Sequence, residues 1–284
     1  MLYRLSHRLL MLGDWVNNVE SISHDFQNAR PFEHVLIQNF LAEPAAQQLI
    51  AEFPAPLSLN GLDFEWKHYD NPIEQKYALN DFSMLPFTTE VIKHLNDQSV
   101  IRILNTITGF SNLEADHLLH GAGLHAYPSN GKLDIHLDYD LHPLLNKERR
   151  VNLILYLNPE WQESWGGNLE LWDEKLQEKK SIIIPSWNTA AIFKTCDISF
   201  HGIPKPITSP QGVFRKSLAL YYISEPRPAM HNTQPRYKAE FFPCPGQPVD
   251  DRLAALYNIR KTRILSKEDM ASWSSWRQDG QGHW

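Results

Sequence analysis

The sequence has almost no cysteine: among 284 residues only Cys196 and Cys244 carry thiols, far apart and in no metal-ligand spacing. That excludes a disulfide framework or a zinc knuckle, and both thiols are expected to be reduced. No apolar run approaches the roughly 18 residues needed to cross a bilayer, so no membrane span is expected. The N-terminal stretch offers only Leu9 to Leu12 as an unbroken apolar run, with no small-residue cleavage site. This is too little for a signal peptide, and a soluble, cytoplasmic protein is expected. Positive charge is also short, with 27 Lys and Arg against 33 Asp and Glu and a net charge of -6. That balance argues against nucleic acid as a partner, because counterion release needs many clustered cations. Two basic clusters, Lys147 to Arg150 and Arg260 to Arg263, read as solvated faces. The 13 glycines and 19 prolines follow no short period, which removes collagen-like and low-complexity readings.

What is present is 42% hydrophobic and 21% charged residues, the balance of a globular chain with a core. Leu2, Leu5, Leu9 and Leu12 recur at helical spacing and predict a helical arm over residues 1–30. His34 to Ile37 reads as a strand, and Pro44 suits the first turn of a helix running to about Phe53. A loop-rich stretch, 54–86, leads to a helical region from Thr89 to Ile107, closed by Gly109. From His117 the period changes to short β-rich runs at 117–127, 132–138, 150–158, 167–172, 181–185, 189–194, 198–203 and 213–224. Eight short strands with turn signals between them predict a closed or sandwiched antiparallel architecture, mainly β with flanking helices. Pro-rich coil follows Glu225, then a helix after Asp250 and another after Ser266, where Ser266 and Asp269 suit a capping box. The division expected is a support region at 1–116, a catalytic core at 117–224 and a tail at 225–284 packed on the same domain.

The chemistry concentrates in Asp134-Ile135-His136-Leu137-Asp138-Tyr139-Asp140. Side chains alternate along a strand, so His136 and Asp138 share a face and can reach one cation. His201, in Ser199-Phe200-His201-Gly202, is the best third ligand. Two histidines and one carboxylate on one face of a metal, with positions left open, are the ligand set of non-haem Fe(II) oxygenases. Spacing alone leaves the carboxylate undecided, because Asp134 has the same parity as His136 and Asp138. His117, His120, His125 and His142 read as structural or solvent-facing. Alternation along 213–224 puts Arg215, Ser217, Ala219 and Tyr221 on one face. A guanidinium among apolar neighbours calls for a carboxylate, which its planar fork can hold through two parallel hydrogen bonds, with the Ser217 hydroxyl adding another.

The ordered set His136-x-Asp138, His201, Arg215-x-Ser217 resembles the Fe(II)/2-oxoglutarate-dependent dioxygenase superfamily, in particular its prolyl-hydroxylase-like branch. Tyr127-Pro128-Ser129-Asn130-Gly131 before the metal pair, Arg150 to Asn158 with Trp161, and the Gly166-Gly167 pair resemble segments of that branch. The resemblance covers residues 117–224 and implies a double-stranded β-helix, the jelly roll of cupin-like proteins. It implies His136, Asp138 and His201 as iron ligands and Arg215 as partner of the 2-oxoglutarate C5 carboxylate. Tyr127, Tyr156 and Ser217 are implied as further hydrogen-bonding groups for that cosubstrate. It also implies O2 as the oxidant, ascorbate as a reductant, and hydroxylation of a prolyl or other protein residue, or of a small molecule. The other readings are a cupin-like metalloenzyme that does not use 2-oxoglutarate and a non-catalytic jelly-roll binding module. Trp161, Trp165, Trp172 and Trp187 are candidates for a pocket entrance, and loops 56–85 and 139–149 for lids.

Overall fold

The structure, a computed structural model, describes residues 11–56, 64–228 and 234–273. Leu2, Leu5 and Leu9 of the expected arm lie outside them. The described residues open with a 3-10 turn (Asp14–Asn18), followed by helix α1 (Val19–Asn28), strand β1 (His34–Ile37), helix α2 (Glu43–Glu52) and a hairpin of β2 (Lys67–Asn71) and β3 (Glu74–Leu79). Helices α3 (Pro86–Leu95) and α4 (Gln98–Thr108) and the short β4 (Glu114–Ala115) precede the barrel strands. Those are β5 (Gly123–Tyr127), β6 (Lys132–Leu137), β7 (Glu148–Tyr156), β8 (Leu169–Trp172), β9 (Lys179–Ile183), β10 (Thr189–Lys194), β11 (His201–Ile203) and β12 (Arg215–Ser224). The tail adds β13 (Glu240–Phe242) and helices α5 (Asp251–Thr262) and α6 (Lys267–Ser272). Among the described residues no helix is long and apolar enough to cross a membrane.

The strands form one curled antiparallel sheet, in the order β1-β10-β7-β12-β5-β3-β6-β11-β8-β9. Strand β3 joins its two halves. Tyr77 to Leu79 pair with β5, while Glu74 and Gln75 pair with β6, so the hairpin holds the walls of a jelly roll together. Strand alternation then sorts the residues. On β7, Val151, Leu153 and Leu155 turn outward, and on β12 so do Leu218, Leu220 and Tyr222. They pack beneath Leu49, Leu95, Leu104 and Ile107 of helices α2 to α4, in the largest core of the molecule. Asn152, Ile154, Arg215, Ser217 and Tyr221 are left facing the interior of the roll. Burying one face under helices is therefore what commits the other face to the cavity.

Several expectations need correction. The stretch 54–86 is not merely loop-rich: it holds the β2–β3 hairpin. The helical region 89–107 is two helices, divided where the Asp97 carboxylate accepts from the Ser99 amide as an N-cap. Gly109 closes the second at φ 76°, a conformation that favours glycine. The strand expected at 117–127 starts only at Gly123, because 117–122 turns around the Asp116 carboxylate, which accepts from the amides of Leu118 and His120. The Ser266–Asp269 capping box forms as expected.

Candidate active site

Strands β6 and β11 pair with His201 directly opposite His136, and the two imidazole rings lie 4.3 Å apart. Asp138 sits just beyond the end of β6, with Oδ1 3.6 Å from His136 Nε2 and Oδ2 3.5 Å from His201 Nε2. One ligand atom from each of the three lies within 4.8 Å of the others, and all three residues are buried. The backbone sets both tautomers in the same way. His136 Nδ1 is 2.9 Å from the Asp134 carbonyl and His201 Nδ1 is 2.8 Å from the Ser199 carbonyl. A carbonyl only accepts, so each Nδ1 donates its proton and each Nε2 is the nitrogen turned toward the shared point. Burial, followed by the neighbouring His136, pushes the His201 pKa down to about 4, so this imidazole is neutral at physiological pH.

The structure separates the two aspartates that spacing could not. His201 lies opposite His136 but Ile203 lies opposite Leu133, so β6 uses three residues where β11 uses two. This bulge reverses the alternation: Leu133, His136 and Asp138 all face the cavity, and Asp134 does not. Asp134 points instead at Lys132 Nζ, 2.6 Å away, and accepts a hydrogen bond from the Tyr257 hydroxyl of α5 at 2.5 Å. The strands approach so closely at the bulge that a Cβ on Gly202 would meet three backbone atoms of residues 133–135 at 2.9 Å.

At the far end of the cavity, Arg215 is opposite Tyr127 of β5, and Ser217 is opposite Tyr156 of β7. The guanidinium lies 5.1 Å from the Tyr127 ring centre and 4.9 Å from that of Tyr156. Its Nε donates to the Gly167 carbonyl at 2.6 Å, and it forms no ion pair with a carboxylate among the described residues. Gly167 has φ 71°, and a Cβ there would press on Arg215 Cδ at 3.1 Å, which explains a glycine beside this arginine. Tyr127, Arg215 and Ser217 line the same cavity of about 180 Å³ as His136, Asp138 and His201. Tyr156 backs the arginine instead. Burial, offset in part by Arg215, raises its phenol pKa to about 12, so its hydroxyl remains a donor.

Other cavity residues escaped sequence reasoning. Arg149, assigned above to a solvated basic face, is 3% exposed. Its Nη2 is 3.0 Å from Asp138 Oδ2, and its guanidinium lies 3.3 Å from the Tyr221 ring centre. Arg150 is also buried, against Glu148 at 2.6 Å. Arg260, from the other cluster, is buried and lies 3.8 Å from Glu74, which Lys76 also contacts at 3.1 Å. Glu74, Lys76 and Arg260 form part of the cavity wall. His125 lines it too, while His142 is buried outside it and receives the amides of Leu144 and Leu145 at Nδ1. That hydrogen bonding ties down the loop expected at 139–149 to be a lid. None of the four tryptophans reaches the cavity wall: Trp161 and Trp165 meet edge-on and Trp187 donates to Glu43.

Residues 122–223 match the 2OG-Fe(II) oxygenase superfamily. That segment carries all of the triad, Arg215 and both flanking tyrosines. Over that segment the chain is similar to this superfamily. Over 129 residues the chain is 31% identical to prolyl 3-hydroxylase OGFOD1 of Xenopus laevis, matching 43% of this chain and 24% of that one. Over 64 residues it is 41% identical to the Mus musculus protein of the same name, 21% of this chain and 12% of that one. It thus spans no more than 24% of the length of the curated relatives it matches.

Two solved structures share the jelly-roll fold of this chain. One is a prolyl hydroxylase from Trichoplax adhaerens in complex with a peptide fragment of the hypoxia inducible factor oxygen degradation domain. Its TM-score is 0.52 at 19% identity, over 76% of this chain and 96% of that one. The other is a Pseudomonas putida prolyl-4-hydroxylase, with a TM-score of 0.51 at 16% identity, over 72% and 100%.

Proposed function

We propose that the protein is a 2OG-Fe(II) oxygenase that hydroxylates a prolyl residue of a polypeptide, with His136, Asp138 and His201 holding Fe(II) and residues 117–224 as its catalytic core. The observation that carries this reading is one cavity with a metal-ligand triad at one end and a buried arginine lacking a carboxylate partner at the other. The triad suits the ion: two imidazole nitrogens and one carboxylate match non-haem iron and leave positions open. Bound there with 2-oxoglutarate and O2, the metal supplies the oxidising chemistry that turns a C–H bond into C–OH as 2-oxoglutarate is converted to succinate and CO2.

The chain's own residues bind and orient. Arg215 grips the C5 carboxylate of 2-oxoglutarate with its paired N–H groups, and Ser217 adds a hydroxyl donor on the same strand face. The rings of Tyr127 and Tyr156 hold the guanidinium and keep water from it, and the Tyr127 hydroxyl, on the cavity wall, serves as a donor at that end. The distance between the two anchors then selects a dicarboxylate of fixed length, a matter of positioning. Cupin-like chemistry without 2-oxoglutarate, or a binding module, gives the buried Arg215 no task. The prolyl assignment is supported by the sequence similarity to the two prolyl 3-hydroxylases and by the peptide in the Trichoplax neighbour.

Mixing purified protein anaerobically with Fe(II) and 2-oxoglutarate tests the site. A weak visible charge-transfer band is expected, absent in His136→Ala, followed in air by succinate formation that a proline-containing peptide stimulates. No band with the intact protein would refute the reading.

A further inference from the structure

The carboxylate of Asp138 is held more elaborately than a metal ligand alone requires. Oδ2 accepts from Asn152 Nδ2 at 2.7 Å, is ion-paired with Arg149 Nη2 at 3.0 Å and lies 3.5 Å from His201 Nε2, whereas Oδ1 faces His136. Asn152 is itself oriented, because its Oδ1 accepts from Arg149 Nε at 2.8 Å, so its amide can offer Asp138 only a donor. Arg149 is fixed in turn between two rings, 3.3 Å from the centre of Tyr221 and 4.7 Å from that of Tyr139. The hydroxyls of those tyrosines donate to the carbonyls of Gly121 and His120 in the turn before β5.

Resting on the reading of the triad as the iron site, we propose that Arg149 and Asn152 are positioning residues that fix the rotation of the Asp138 carboxylate so that it faces the point shared with His136 and His201. The hydrogen bond from Asn152 and the ion pair with Arg149, both on Oδ2, would hold the carboxylate plane before a metal arrives. The planar fork of Arg149 matters as much as its charge, because it spans Asp138 and Asn152 at once while lying flat on Tyr221.

Mn(II) titrated calorimetrically into metal-free protein tests this without turnover. Asn152→Ala and Arg149→Met are each expected to weaken Mn(II) binding about 10- to 100-fold, the range for outer partners of metal ligands. The double variant should lose less than the product of the two, since both act on one oxygen. Arg149→Lys, which keeps the charge and loses the fork, should recover only part of the affinity. A packing role alone would lower the melting temperature of the metal-free protein and leave the affinity of the folded protein unchanged. Asn152→Ala leaves the stacked arginine in place, so it guards against a collapse of Arg149→Met. If folded Asn152→Ala binds Mn(II) within about twofold of the intact protein, the proposal is overturned. Equal binding by the intact protein and His136→Ala would overturn the iron reading itself, and this proposal with it.

Discussion

At the residue scale, Arg215 has the most exposed role in the argument, because nothing in the fold needs a buried guanidinium there. Truncation of a buried, hydrogen-bonded charge partner costs about 2–5 kcal/mol, or roughly thirtyfold to a few thousandfold in affinity. Arg215→Met should weaken 2-oxoglutarate by that amount, read from anaerobic titration of the visible band, and leave Mn(II) affinity unchanged. Asp134 of β6 and Asp138 just after it make a paired prediction. Asp138→Ala removes a carboxylate aimed at both histidines and should abolish metal binding, whereas Asp134→Asn should retain it. Asp134→Ala is a different matter. It strips the carboxylate from Lys132, which is 2% exposed, and loss of one member of a buried pair costs about 3–5 kcal/mol. Gly202→Ala places a Cβ 2.9 Å from three backbone atoms, so β6 and β11 must part. A destabilisation of about 1–3 kcal/mol is expected, together with weaker Mn(II) binding because His201 rides on β11. Melting curves and calorimetry on the same sample would show both effects or refute the link.

At the element scale, the molecule depends on the tail helix α5 and the early hairpin β2–β3 clasping the metal strand β6 from outside. Tyr257 of α5 reaches Asp134 of β6, and Glu74 of β3 pairs in register with Leu133. Removing the Tyr257 hydroxyl takes a donor from a buried carboxylate that burial already makes costly to ionise. Tyr257→Phe should therefore destabilise the protein by about 1–3 kcal/mol in denaturant titration without changing metal affinity. A shift in metal affinity as large as that of Asn152→Ala would contradict the separation of Asp134 from the site. The elements differed in how plainly the chain announced them. Strands β7, β10 and β12 alternate cleanly because one face is pressed against helices, and Gly109 and the Ser266 capping box rest on local chemistry. The β2–β3 hairpin was hidden because Lys67-His68-Tyr69-Asp70-Asn71 is polar on both faces. It becomes a strand by pairing with β3, not by burying a stripe of its own.

At the scale of the whole molecule, the two thiols offer a simple check on packing. Burial pushes the Cys244 thiol up to about 11, which leaves about one part in a thousand as thiolate at pH 8. Iodoacetamide at that pH should modify the partly exposed Cys196 of the folded protein first and spare Cys244 until denaturant is added. Equal rates would show that the tail carrying Cys244 does not pack as described. That His136, Asp138, His201, Arg215 and Ser217 share one cavity was legible without coordinates, because four of them lie on strands whose period of two announces a face and Asp138 directly follows one. Distances across the sheet were not legible. Only the folded chain revealed that a bulge in β6 turns Asp134 away from the metal face, since a bulge depends on how two strands register and leaves the pattern along one strand unaltered. The same holds for Arg149, charged and apparently exposed in a run of basic residues, whose burial is decided by Asp138, Asn152 and Tyr221 converging on it from three remote segments.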